Sequence, residues 1–103
     1  MLITSISEGC RMHKFLIHKQ GDFVGVATRD IEANETVTGV FMDDNSTVEV
    51  VARQGVPLGH KIALQNLNYG ADVVEYGQVI GYASTDWARG DYVHTHNLKS
   101  KRW

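Results

Sequence analysis

Cysteine is nearly missing from this chain. Cys10 is the only one in 103 residues, which excludes an internal disulfide framework, and with no catalytic partner close by it makes a poor nucleophile. Long apolar runs are missing too: none approaches the ~20 residues that a transmembrane helix needs. The opening Met1-Leu2-Ile3-Thr4-Ser5-Ile6-Ser7 has neither the basic start nor the long apolar middle of a signal peptide. Strong charge of one sign is absent; a net charge of −2 gives no reason to expect nucleic acid. No window repeats apolar residues at helical spacings of three and four. These absences point to a cytoplasmic, all-β protein that engages neither membrane nor nucleic acid.

What remains is an ordinary folded-domain composition, 43% hydrophobic and 21% charged, which argues against disorder. A chain of 103 residues makes one domain with one small core, and that leaves little interior for a complete active site. A binding module or a subunit is therefore favoured over a self-sufficient enzyme.

Residues 1–11 carry no periodicity and read as an N-terminal extension, with Met12 an alternative start. Phe15–His18 and Phe23–Thr28 read as strands that pair as a hairpin across the turn Lys19-Gln20-Gly21-Asp22. Four segments then share one pattern: Asp30–Val37, Gly55–Ile62, Asn66–Val73 and Asp86–Val93. Each has a turn-former first, an apolar residue second, Asn or Gly fifth and an apolar residue eighth. The fifth residue can take positive φ, as a tight turn feeding a strand requires, and the two apolar residues would anchor the turn to the core. The irregular spacing of the units makes them a repeated local device, not a solenoid. Between them lie strand candidates at 36–42, 47–52, 61–64, 73–74 and 78–83.

Chemistry concentrates at Val93-His94-Thr95-His96-Asn97. On an extended backbone His94 and His96 would face the same way, and imidazoles on one face can share a metal or an anion; solvated polar residues on a strand face are the plainer alternative. His13 and His18 read as surface residues.

The turn units resemble the signature of SAF domains. Leu58-Gly59-His60-Lys61-Ile62-Ala63-Leu64, Tyr76-Gly77-Gln78-Val79-Ile80-Gly81 and Gly90–Asn97 together resemble the N-terminal domain of the altronate and galactarate dehydratase family. The likeness covers residues 13–103, and the ending, Leu98–Trp103, is similar to the free-standing small subunits of (2R)-sulfolactate sulfo-lyases. It implies a β-clip fold, with the SAF domain at 12–98 and a basic tail at 99–103. It implies a lyase subunit that performs β-elimination from a small 2-hydroxy acid, inactive without a large catalytic subunit. It further implies a divalent metal, iron(II) or similar, shared with that subunit. Carried onto this sequence, His60 and Lys61 would be catalytic, Lys61 and Asn97 would contact substrate, and His94 and His96 would bind metal, with Asn97 able to orient them instead. Lys99, Lys101, Arg102 and Trp103 would form a docking tail. A subunit of a split altronate- or galactarate-type dehydratase remains open, as does a stand-alone module for a sugar or acidic ligand.

Overall fold

The fifth residue of each unit is where the chain reverses. In the computed structural model, which describes residues 13–100, φ is +69° at Asn34, +86° at Gly59, +88° at Gly70 and +94° at Gly90. In all four units the sixth N–H donates to the third carbonyl, closing a β-turn: Glu35 to Glu32, His60 to Pro57, Ala71 to Asn68 and Asp91 to Ala88. The units are thus turns without helical character, and no helix occurs among the described residues. None is accordingly long and apolar enough to cross a membrane.

The units work in pairs. Ile31 and Val56 exchange both backbone hydrogen bonds, as do Leu67 and Trp87. An alanine three residues before each unit completes the exchange. The Asn34 N–H donates to Ala52 O while Gly59 N–H donates to Ala27 O; Gly70 N–H donates to Ala83 O while Gly90 N–H donates to Ala63 O. Each alanine N–H in turn donates to the sixth carbonyl of the same partner unit. Every turn is therefore locked by its partner's alanine, and each backbone group of that alanine is satisfied in the interior.

Each pair encloses its own core. Ile31, Val37, Val56 and Ile62 join Phe15, Ile17, Ala27 and Ala52 in one cluster; Val73, Trp87 and Val93 join Val24, Ala63 and Ala83 in the other. Around them run β1 (Phe15–Ile17), β2 (Val24–Ala27), β3 (Thr36–Phe41), β4 (Thr47–Val51), β5 (Lys61–Ala63), β6 (Asp72–Glu75), β7 (Gln78–Ala83), β8 (Tyr92–Val93) and β9 (Leu98–Ser100). They form a six-stranded sheet in the order β4-β3-β1-β2-β5-β8 and a three-stranded sheet in the order β6-β7-β9. The expected β1–β2 hairpin forms, and β1 also lies parallel to β3. β9 carries the folded domain two residues beyond the expected boundary at residue 98, since Lys99 and Ser100 pair with β7. The expected extension at 1–11 and the tail residues Lys101, Arg102 and Trp103 lie outside the described residues.

One carboxylate ties the two sheets. Asp22, only 5% exposed, accepts N–H groups from Lys19 at 3.3 Å, Tyr76 at 3.0 Å and Gly77 at 3.1 Å. Tyr76 and Gly77 form the β6–β7 turn with φ of +60° and +73°, so the β1–β2 turn caps the tip of the second hairpin. Asp22→Ala is expected to lower stability by about 2–3 kcal/mol, since it orphans three donors. Thermal denaturation checks this: a midpoint within about 3 °C of the parent would show that the cap matters little.

Candidate functional site

The third position of the second unit is Pro57, and that choice bears on the site. In the first and fourth units the sixth side chain is an acid that accepts from the third N–H: Glu35 Oε1 from Glu32 at 2.9 Å, Asp91 Oδ2 from Ala88 at 2.8 Å. Proline has no N–H to offer. The sixth side chain of the second unit has nothing to cap, and there the sequence places His60.

β5 and β8 pair antiparallel with Lys61 opposite Val93 and Ile62 opposite Tyr92. Continuing that register by one residue sets His60 against His94, and their ring centroids lie 5.0 Å apart. Tyr92 stands among the histidines. Its ring centroid is 5.5 Å from His60, 5.8 Å from His94 and 5.6 Å from His96, and its hydroxyl lies 2.9 Å from His60 Nδ1. His60 and Tyr92 are half-buried, while His94 and His96 are exposed. A depression of about 340 Å³ opens beside them, lined by Gly59, His60, Lys61, Val93, His94, Thr95 and Leu98.

The backbone at His94–His96 is not extended, which corrects the alternation argument for this pair. The chain turns after β8: Asn97 N–H and Leu98 N–H both donate to His94 O, and Asn97 Oδ1 accepts from His94 N–H at 2.9 Å. Asn97 Nδ2 donates to Tyr92 O at 2.8 Å, and Asn97 O accepts from the buried Trp87 indole at 2.8 Å. A side chain that closes a turn on itself competes successfully with the strand ladder. What groups His94 and His96 is their shared contact with Tyr92. Asn97 is 5% exposed with its amide committed to backbone, so of its two expected roles this geometry serves the orienting one.

Lys61 lines the depression and also reaches Glu75, whose Oε1 lies 3.7 Å from Nζ. Glu75 is 5% exposed, and its other oxygen lies 3.8 Å from His18 Nε2. His18 stacks on Tyr76 with centroids 3.9 Å apart. Sequence pattern singles out none of Tyr92, Glu75 and Tyr76, and reads His18 as a surface residue. A signal existed for Tyr92, which holds the seventh position of its unit as Lys61 does in the second. None existed for Glu75, which meets Lys61 and His18 only through tertiary packing.

Imidazole nitrogens suit iron(II)-like and zinc-like cations. Among the described residues, however, no group of three or more His, Cys, Asp or Glu side chains could hold a metal ion. The donor set thus fits a cation only as part of a larger set, with His94 and His96 each offering an imidazole and further ligands coming from elsewhere. What these side chains offer by themselves is hydrogen bonding from two ring systems and a positive point charge at Lys61, beside a cavity open to solvent.

Comparison with known proteins adds the context. Residues 13–101 match the model of the altronate/galactarate dehydratase SAF domain. The chain is 36% identical over 90 residues to the (2R)-sulfolactate sulfo-lyase subunit alpha of Chromohalobacter salexigens, an alignment that covers 86% of this chain and 96% of that one. It is 44% identical over 64 residues to the subunit of the same name in Paracoccus pantotrophus, covering 62% of this chain and 96% of that one. Altronate dehydratase of Escherichia coli K12 is 46% identical over 79 residues, which are 77% of this chain but 15% of the dehydratase.

Proposed function

Because the chain belongs to the altronate/galactarate dehydratase SAF-domain family, we propose that it is the small subunit of a cytoplasmic heteromeric lyase that converts (2R)-sulfolactate to pyruvate and sulfite. The observation that carries this reading is coverage. The chain aligns with 96% of the length of two proteins named as sulfo-lyase alpha subunits, but with only 15% and 16% of two altronate dehydratases. In this reading a second subunit completes the enzyme, as the name of those two relatives implies, and the histidine cluster is the surface that would meet it.

The reaction is a β-elimination. The proton α to the carboxylate leaves, the C–S bond breaks with its electron pair going to sulfite, and the resulting enol tautomerises to pyruvate. A divalent cation, when bound through His94 and His96 and the second chain, would supply Lewis acidity to such chemistry. Lys61 serves as a compact positive charge for the substrate carboxylate or sulfonate. His60 borders the same depression, and Asn97 holds the turn that places His94.

Lys61→Ala is expected to raise KM about tenfold with a smaller change in kcat, as removal of a contact made equally in ground and transition states does. Steady-state kinetics of the reconstituted pair checks it; an unchanged KM with a collapsed kcat would assign Lys61 to the chemical step instead.

A second reading, a small subunit of a split altronate- or galactarate-type dehydratase, draws on the 46% identity to altronate dehydratase. The experiment that separates the two supplies the chain, its second subunit and a divalent cation with sulfolactate or altronate. Sulfite release is expected. Dehydration of altronate without sulfite release would install the second reading, and turnover of neither substrate would remove both.

A further inference from the structure

Tyr92 has no assigned part in the chemistry above, yet its position is held from several sides. Its backbone carbonyl accepts from Asn97 Nδ2 and its N–H donates to Gln54 Oε1 at 2.9 Å. Its ring packs against the first core cluster and touches three histidines. Its hydroxyl meets Nδ1 of His60 at 2.9 Å, with the His60 ring at 66° to its own.

Two proton arrangements satisfy that contact. A phenol O–H is a stronger donor than an imidazole N–H, and an imidazole nitrogen is a stronger acceptor than a phenol oxygen, so the hydroxyl donates and Nδ1 accepts. Neutral imidazole carries one hydrogen, and with Nδ1 accepting, that hydrogen sits on Nε2. His60 is one of the residues at the depression that Lys61 and His94 also border, and Nε2 is the ring nitrogen that Tyr92 leaves for a ligand.

We infer that Tyr92 is a positioning residue that holds His60 in its Nε2–H form, so that His60 meets the substrate as a hydrogen-bond donor to a carboxylate or sulfonate oxygen, not as proton acceptor or metal ligand. The consequence for catalysis rests on the lyase reading; the tautomer does not. The α-proton must then be taken by a group other than His60. Two complementary residues thus border one depression, His60 with its Nε2–H and Lys61 with its point charge. A small substrate with two anionic groups can engage both.

The decisive measurement is a long-range ¹H–¹⁵N correlation spectrum of the histidine rings in the full chain alone. The proposal expects His60 as a single Nε2–H tautomer and a mixture of both tautomers in Tyr92→Phe, which keeps the ring and removes the hydroxyl. An Nδ1–H pattern for His60 in the parent, or an unaltered pattern in Tyr92→Phe, overturns it whatever the enzyme assay gives. In the reconstituted pair, Tyr92→Phe is expected to raise KM about five- to tenfold, the worth of one neutral hydrogen bond. His60→Gln supplies the chemical control, because its amide can accept from Tyr92 and donate outward as the Nε2–H imidazole does. It is expected to keep kcat/KM within about tenfold of the parent while His60→Ala does not, since only the donor is required. Equal loss in His60→Gln and His60→Ala would make His60 a base or a ligand and sink the proposal, while leaving the lyase reading intact.

Discussion

Gly90→Ala is expected to destabilise the domain by about 3–5 kcal/mol, combining a left-handed backbone penalty with overpacking against a neighbouring strand. Gly90 has φ of +94°, and a Cβ there would collide with the Val51 carbonyl oxygen and crowd the Arg53 nitrogen. Both are backbone atoms, so no side-chain rotation relieves the clash. The turn would have to move away from β4, and with it the bonds from Gly90 N–H to Ala63 O and from Ala63 N–H to Asp91 O, and the path into Tyr92 and His94. Gly70 provides the internal control. It holds the same position in the third unit with φ of +88°, but a Cβ there meets nothing within 4 Å. Gly70→Ala should therefore cost only the conformational part, about 1–2 kcal/mol. Denaturant or thermal unfolding of both variants measures the difference. Equal losses would mean that the close approach at Gly90 contributes nothing and that the fourth unit is held no differently from the third.

The second large effect is catalytic. His60→Ala is expected to lower kcat/KM of the reconstituted pair by about 10²–10³-fold, since it removes a positioned hydrogen-bonding group. His60 is half-buried, bonded to Tyr92 and set against His94, so loss of its ring also frees two neighbours. Folding should survive, because its backbone contacts, the N–H to Pro57 and the carbonyl to Ala27, do not involve the side chain. His13, which makes none of the ring contacts among the described histidines, is the comparison. Full activity in His60→Ala would move the site elsewhere on the chain.

Much of the fold could be read from the residues because its main device is local. A turn that needs positive φ selects Asn or Gly, and Asn34, Gly59, Gly70 and Gly90 all adopt it. The strands between the units follow alternation and β-branched content, and β7 runs over the same residues, 78–83, that the pattern marks. Pairing was not readable in the same way. The alanines at 27, 52, 63 and 83 stand in plain view three residues before each unit, but a methyl group announces nothing about the backbone exchange it permits. Family resemblance drew attention to His60, Lys61, His94, His96 and Asn97, and the structure gathers the three histidines round Tyr92. The extended geometry assumed for His94–His96 failed because Asn97 bonds back to the His94 N–H, an interaction that strand periodicity does not register. The Lys61–Glu75–His18 contacts join residues far apart in the chain, and no short motif encodes them.

The domain thus carries two exposed imidazoles, one half-buried imidazole and one lysine, with no closed metal cage among the described residues. On the proposed function that arrangement is half of an active site, which a second chain would complete. The most direct test titrates the second subunit with this chain in the presence of a divalent cation and follows sulfite release from sulfolactate. Each chain alone should be inactive, the rate should rise and saturate as the complex forms, and a His60→Ala/His94→Ala double variant should bind as tightly yet restore almost no rate. Full sulfite release by the second subunit alone, or full restoration by the double variant, would contradict the account.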